Sequence, residues 1–368
     1  MVGKKFGVAL GLFLLFSTMV SAQIRSGGSG PVAWFASQHG VESIRSVGLG
    51  GTGAAHTGDP AAWNSNPATL AAALGAGAHY GAGPLYTDIT TGIGNFRSAG
   101  AWAAIPYGAV GLEFIEADLG EYQQTFQSGS GGASFRMLDR TMALTAATHI
   151  LSPVSLGISL KRVEFIMDGR MSDSSLITPT EHDISIDDSG IYLDFGAIIS
   201  SAGFMRGEKL RDTTHFGIAI QDIGGAFDYN GIRQSNDIVQ WLRAGGSYGV
   251  EFFGDAETPV FEGALTLEYL RMLNAEDNFG RTEYGGIGLE ATILDILSLR
   301  AGERFHPDNN GRFHYGAGIR LALSRVGIDI PVMVGADYAR GAQRREWPVG
   351  DKEPNMFELH AAYTAPIF

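Results

Sequence analysis

The chain has 368 residues, no cysteine and a formal net charge of −13, with an isoelectric point of about 5.1. The absence of cysteine excludes disulfides, thiolate metal sites and cysteine nucleophiles. The acidic charge argues against nucleic acid as a partner, because binding to phosphates needs clustered lysine and arginine. Glycine accounts for 52 residues, and most of these glycines lie inside segments that alternate between apolar and small or polar residues.

The N-terminus predicts export. Lys4 and Lys5 form a positive region, residues 6–16 are apolar, and Ala22 ends a small-residue cleavage site. Residues 1–22 therefore resemble a secretory signal peptide of the Sec pathway. The apolar run is shorter than the roughly 20 residues of a membrane-spanning helix. No later run is long enough for a helical span, so an exported membrane protein of this sequence would have to form a barrel.

Residues 23–71 do not alternate, and they contain a block rich in glycine and small residues. Arg45 opens the run RSVGLGGTGAA, and Asp59 and Asn66 each precede a proline. Asp and Asn cap helix N-termini, and proline is favoured in the first turn, so short helices are expected at 61–63 and 68–73. Gly48, Gly50 and Gly53 also spell GxGxxG, but no parallel βαβ unit surrounds them. The sequence therefore predicts neither a nucleotide nor another cofactor.

From residue 72 onward the chain alternates with the period of a β-strand. Between 312 and 323 every odd position is apolar, as in Phe313 and Ile319, while the even positions include His314 and Arg320. Such a strand has one apolar face and one polar or small face. A soluble β-sandwich also alternates, but its second face is normally rich in Lys, Glu and Thr. Here the second face is mainly Gly, Ala and Ser, which favours a transmembrane antiparallel β-barrel.

The alternation predicts about 14 strands, an even number within the range of bacterial single-chain barrels. Short turns alternate with longer links, and segments 117–137 and 165–189 are predicted as long outer loops. Pro106 and weak alternation in the second strand suggest a kink or gap in the wall. The predicted strands are 72–82, 99–106, 109–116, 138–149, 153–164, 190–200, 214–222, 239–250, 260–272, 283–293, 296–303, 312–324, 326–338 and 356–368.

The N-terminal block resembles the signature of the FadL-like superfamily of outer-membrane proteins. It is most similar to the PorV/PorQ branch, in which an Arg-x-x-Gly-x-Gly-Gly block precedes an acidic turn and Asn-Pro-Ala. The resemblance implies a signal peptide at 1–22, a plug inside the lumen at 23–71 and a barrel at 72–368, located in the outer membrane of a Gram-negative cell. The plug signature comprises Arg45, Gly48, Gly50, Gly51, Asp59, Asn66 and Pro67.

No catalytic or metal-binding residue is predicted. The histidines are scattered without a His-x-x-x-His pair, and no nucleophile motif accompanies His314 or His360. Inward charges are expected to line a hydrated lumen and to contact the plug. The residues expected to line the lumen or a ligand path are Trp63, Leu70, Trp102, Arg300, His314 and Arg320.

Two non-enzymatic functions follow from the resemblance. The first is a PorV/PorQ-like component or cargo shuttle of type IX secretion, whose partners would be the translocon, secreted proteins and outer-membrane lipid. The second is a FadL-like transporter of hydrophobic small molecules such as long-chain fatty acids. The second function predicts an apolar pocket near the plug formed by Trp63, Leu70, Trp102 and Phe114.

Overall fold

The computed structural model is a closed barrel of 14 antiparallel strands, in which each strand pairs with its neighbours in the chain and β1 pairs with β14. The strands are β1 Ala76–Tyr86, β2 Ile93–Ile105, β3 Gly108–Thr125, β4 Gly131–Leu151, β5 Val154–Asp173, β6 Thr180–Arg206, β7 Leu210–Gly224, β8 Trp241–Phe253, β9 Pro259–Met272, β10 Glu283–Ile293, β11 Leu297–His306, β12 Asn309–Ala322, β13 Val332–Arg340 and β14 Asn355–Tyr363. The predicted fold class and strand number are confirmed.

The structure describes most of the barrel and part of the N-terminal region. The described residues are 43–59, 61–86, 93–125, 131–151, 153–173, 180–207, 209–224, 240–254, 259–273, 283–306, 309–341 and 355–364. The predicted signal peptide and the first part of the predicted plug lie outside these residues. Within them, no helix is long and apolar enough to cross a membrane.

Side chains alternate between the outside and the inside of the barrel. On β12, Ile319 points outward and is 55% exposed, whereas His314 points inward and is 2% exposed. The outer face carries large apolar side chains on nearly every strand, and the inner face carries charged, hydroxyl and glycine residues. This arrangement suits a wall with lipid outside and polar contents inside.

Four strands extend much further than their alternation predicts. Most of the predicted loop 117–137 belongs to β3 and β4, and most of 165–189 belongs to β5 and β6. In these extensions charged side chains lie on the outer face, as in the ion pair between Arg136 and Asp118, while apolar side chains such as Met137 and Phe165 are buried on the inner face. Because the outer face is charged there, the apolar outer face that marks a strand in lipid is absent. The two predicted loops are therefore wrong over most of their length.

Two predicted strand ends are also wrong. Residues 72–75 precede β1, because a 3-10 helix at Pro67–Ala72 is followed by Gly75 at φ 60°. Residues 326–331 form a turn although Ile328 and Ile330 alternate. A 3-10 helix at Leu323–Val326 ends in left-handed Gly327 at φ 83°, and Pro331 has no N–H to donate to a sheet. Alternation alone does not make a strand where the backbone is committed to a turn.

The predicted wall kink near Pro106 is wrong. Over its described length, β2 pairs with β1 and with β3 without a register shift. Pro106 and Tyr107 form the tight turn that joins β2 to β3, since Ile105 and Gly108 are paired across it. The wall is therefore continuous at this place.

Lipid contact predicts a position-dependent cost for an outward charge. Leu289 is 58% exposed near the middle of β10, and Leu294 is 52% exposed in the turn that follows. We expect Leu289→Arg to reduce the free energy of folding into phospholipid vesicles by about 2–4 kcal/mol, and Leu294→Arg by about 0–1 kcal/mol. Urea titrations of vesicle-folded protein measure both values, and equal costs would contradict the assigned membrane boundary.

Candidate functional site

Residues 43–73, named the inner segment, lie inside the barrel. The helix α1 (Ile44–Gly48) contacts β11 to β14, and the 3-10 helix Pro67–Ala72 contacts β3 to β6 on the opposite side. Between them, Ala54 lies against Gly217 of β7. A segment that touches opposite sides of a closed ring must lie within it. A further 3-10 helix spans Ala62–Asn64, so the short helices expected from the capping residues are present.

Glycines on both partners allow the inner segment to approach the wall. Gly50 has φ 72°, a left-handed conformation that suits glycine, and a Cβ on it would lie 2.7 Å from the carbonyl oxygen of Glu303. A Cβ on Gly302 of β11 would lie 2.4 Å from the Gly50 nitrogen. A Cβ on Gly48 would lie 3.3 Å from the Cα of Gly316 on β12. Here the GxGxxG pattern provides backbone contact with a barrel wall, and Gly51 at φ 82° continues the same turn.

The α1 side of the inner segment is held by buried charges. Arg45 donates from Nη2 to Oε2 of Glu290 at 2.5 Å, and from Nε to both carboxylate oxygens at 3.1 Å. Arg300 donates from Nε to Oε1 of the same carboxylate at 2.8 Å and from Nη1 to Asp337. Nε2 of His56 lies 3.7 Å from Glu290 Oε2. Glu290 is therefore shared between the inner segment and the wall.

The surroundings of the inner segment set its charge states. Burial alone would lower the pKa of Arg45, but the charges of Glu290 and Asp59 outweigh it and hold the pKa above its ordinary value. Burial lowers the pKa of His56 below its ordinary value, and the charge of Arg45 lowers it further. Arg45 is thus a permanent cation at this place, whereas His56 is neutral at pH 7.

Other signature residues hold the inner segment in shape. Asn66 Oδ1 accepts the N–H of Ala68 at 3.0 Å, and its Nδ2 donates to the carbonyl of Ala54 at 2.6 Å. Asp59 Oδ1 accepts the N–H of Ala61 at 3.0 Å, and its other oxygen accepts a hydrogen bond from Ser43. These contacts join distant parts of the inner segment to one another, which explains the positions of the signature Asp and Asn.

The opposite side of the inner segment is apolar and aromatic. Trp63 and Leu70 pack against Trp102 of β2 in a buried cluster that also contains Ala71, Ala109, Ala147 and Ala362. The ring centroids of the two tryptophans lie 5.9 Å apart in an edge-on arrangement. His79 lies 5.4 Å from the Trp63 ring, and its Nε2 is 3.0 Å from Oε1 of Glu113. Trp63, Leu70 and Trp102 are thus brought together, as the sequence predicts.

The other residues predicted to line the lumen lie in different surroundings. Arg300 belongs to the charge network, and Arg320 lies on the same inner face, within electrostatic range of Asp337 and Glu290. His314 is buried against Gly341, away from the tryptophan cluster. Phe114 points outward, because Glu113 and Ile115 on either side of it are the buried inward residues of β3. Its predicted place in a lumenal pocket is wrong.

Several residues that hold the inner segment were missed in the sequence. Glu268 Oε2 accepts the N–H groups of Gly53 at 2.5 Å and Ala54 at 2.7 Å, and Arg243 Nε donates to its other oxygen at 2.6 Å. No motif in the sequence singles out these residues, which are Glu268, Arg243, His79, Glu113 and Glu358. Their one sequence signal is that each is a polar residue in the inward phase of its strand.

Comparisons with known proteins agree with the barrel. No protein-family model matches the chain, and no curated protein matches it. The toluene transporter TbuX of Ralstonia pickettii is 11% identical, with 89% of this chain and 99% of that chain covered and a TM-score of 0.52. The deltaS2S3 mutant of the monoaromatic hydrocarbon channel TodX is 13% identical, with 87% and 97% covered and a TM-score of 0.50.

These two structures are a toluene transporter and a monoaromatic hydrocarbon channel. At such low identity the likeness shows a shared barrel fold. It gives no support to the PorV/PorQ branch or to type IX secretion.

The shared carboxylate predicts an order of stability losses. Glu290→Gln leaves the buried Arg45 without a carboxylate partner, so we expect a loss of about 3–5 kcal/mol in the free energy of unfolding. Arg45→Met should cost less, because Glu290 keeps Arg300. Urea unfolding measures both losses. Arg136→Met, at an ion pair whose arginine is 67% exposed, is the control and should cost at most about 1 kcal/mol. A larger loss for Arg45→Met than for Glu290→Gln would contradict the shared role.

Proposed function

We propose that this protein is an outer-membrane channel for hydrophobic small molecules, with long-chain fatty acids as the candidate substrate class. The observation that carries the proposal is the buried apolar cluster of Trp63, Leu70 and Trp102, where the inner segment meets the wall. The shared fold with transporters of toluene and other monoaromatic hydrocarbons supports it. Export through the Sec pathway and residence in the outer membrane belong to the same proposal.

The two sides of the inner segment suggest where a molecule passes. On the α1 side, moving the segment would break the buried pairing of Arg45 with Glu290, and separating such a pair is costly. On the tryptophan side, Trp63 and Leu70 make apolar contacts, and the hydrogen bonds to the wall involve neutral groups of the segment. Asn66 Nδ2 donates to the Ala197 carbonyl at 3.2 Å, Asn64 Nδ2 donates to Glu113 Oε1 at 3.3 Å, and the Asn64 carbonyl accepts from Gln221 Nε2 at 2.6 Å. A hydrophobic ligand can replace apolar contacts at little cost, because the surfaces it covers stay out of water. The route therefore runs between the tryptophan side and the wall at β2 and β3.

Fatty-acid uptake by reconstituted vesicles tests the channel. We expect vesicles containing the protein to take up radiolabelled oleate faster than empty vesicles. Trp63→Ala should lower the protein-dependent rate about tenfold, because the indole provides a large part of the apolar contact surface. Trp241→Ala, at a buried tryptophan in a separate cluster with Tyr284, is the matched control and should keep the wild-type rate.

The controls separate a specific route from a damaged barrel. Trapped sucrose should stay inside vesicles that contain wild-type protein or either variant. Wild-type uptake no faster than that of empty vesicles would refute the channel. Equal uptake by Trp63→Ala and wild type would refute the assigned route.

Type IX secretion is the second candidate function. It is supported by the signature resemblance and by the long sheet that β3 to β6 form, since β6 alone has 27 residues where a tilted span needs roughly 9–11. Such an extension offers strand surface outside the membrane to a protein partner.

Affinity purification tests this second candidate. A tagged chain purified from native membranes should recover a large translocon barrel or secreted cargo if the protein serves secretion. Deletion of residues 119–135, which include the last residues of β3 and the first residues of β4, should then abolish the recovery. Recovery of neither partner by the wild-type chain would exclude the secretion function.

A further inference from the structure

Three possible metal ligands meet on the inner face of β13 and β14. Asp337 lies opposite Glu358 in the β13–β14 pairing, and His360 follows two residues later on the same face of β14. One ligand atom from each residue lies within 4.8 Å of the others, and all three residues are buried. Glu358 faces α1, since the Ile44 N–H donates to Glu358 Oε2 at 3.5 Å, and His360 lies opposite His79 in the β1–β14 pairing.

His360 has no hydrogen-bond partner among the residues that the structure describes. The side chain of His360 is 2% exposed, and neither of its ring nitrogens makes a hydrogen bond. Its nearest charged neighbour is Asp337, with 3.6 Å between His360 Nδ1 and Asp337 Oδ2. A buried polar group without a hydrogen-bond partner destabilises the folded protein. This imidazole therefore faces the two carboxylates with its ligand capacity unused.

The charges around these three residues would accommodate an added cation. Arg300 binds Oδ1 of Asp337 and so orients this carboxylate, while Oδ2 faces His360. Glu358 forms no ion pair with any residue in the described ranges, and the weak hydrogen bond from Ile44 is its only one there. Arg45 and Arg300 are already engaged by Glu290. A buried carboxylate without a counter-charge is costly, and a bound cation would offset that cost.

We propose that Asp337, Glu358 and His360 bind a divalent transition-metal ion of the zinc type. A nitrogen ligand with two carboxylates favours Zn²⁺ over Mg²⁺, which prefers oxygen ligands alone. Tetrahedral bonds of about 2.0–2.1 Å place ligand atoms about 3.4 Å apart, so small side-chain rotations close the present arrangement. The hydrogen bond from Arg300 serves as the outer support that ligating carboxylates normally have. This site does not depend on the proposed transport.

Glycine at position 335 makes space for the imidazole. A Cβ on Gly335 would lie 2.1 Å from Nε2 of His360. Gly335→Ala therefore displaces the ring while leaving all three ligand residues in the chain. The matched control is Gly263→Ala, because a Cβ there would make only an ordinary contact of 3.4 Å with Phe261.

Zinc titration of the folded full chain tests the proposal. The protein is freed of metal with a chelator and titrated with ZnCl₂ against a chromophoric zinc indicator. We expect one Zn²⁺ per chain, with affinity at least about tenfold weaker in Glu358→Gln, His360→Gln and Gly335→Ala. His149→Gln, at an exposed histidine near the β4–β5 turn, should bind like wild type, as should Gly263→Ala. MgCl₂ in excess should not displace the zinc.

Zinc affinity is compared only between variants that have folded. A heat-dependent shift in gel migration identifies barrels that have folded, and the isosteric Glu358→Gln variant disturbs the packing least. Absence of stoichiometric zinc binding by folded wild type would overturn the proposal. Unchanged affinity in the folded ligand variants, or loss of binding in His149→Gln, would show an adventitious ion only and would also overturn it.

Discussion

The pairing of β1 with β14 is the contact on which the rest of the molecule depends. In lipid no water can satisfy a free backbone N–H or C=O, so a sheet in the membrane must have no edge. Residues Ala76–Ala82 pair with Phe357–Tyr363 and close the ring between the two ends of the barrel sequence. Closure also creates an enclosed interior, in which the inward side chains of opposite strands come close enough to share one buried segment. The inner segment is held from both sides only because the ring is complete.

The interior is arranged by side-chain size as well as by charge. Pairing places Arg320, Gly335, His360, His79, Gly100 and Glu113 in one row across β12, β13, β14, β1, β2 and β3. Neighbouring side chains occupy the space beside each glycine in this row. A Cβ on Gly335 would meet His360, and one on Gly100 would meet Glu113 and His79. Where the wall glycines have no such neighbour, the inner segment fills the space, as at Gly302. The high glycine content of the chain is therefore a packing requirement of a narrow, filled lumen.

The sequence predicts the strand number and the orientation of most side chains, because lipid on one side imposes a period of two. The sequence prediction fails where lipid does not impose this period. The extended parts of β4 and β5 carry charged residues on the outer face and buried apolar residues on the inner face, and 326–331 alternates within a turn. Contacts between residues inside the lumen are even harder to predict from the sequence. Arg45 and Glu290 are 245 positions apart, and their contact depends on the path of the inner segment and on the register of many strand pairs. Short-range features such as the Asn66 cap can be read from neighbouring residues, but such long-range pairs cannot.

The two ends of the inner segment have different chemistry, and this difference connects the charge network with the proposed route. The α1 end is tied by Arg45 to Glu290 and by its first N–H to Glu358. A cation at Glu358 would draw that carboxylate toward Asp337 and His360 and would stiffen the wall beneath α1. The other end rests on tryptophan and leucine contacts, which a hydrophobic molecule can replace without exposing charge to an apolar surface. Motion confined to that end keeps the buried ion pairs intact, so a hydrophobic molecule could pass while the inner segment stays anchored in the barrel.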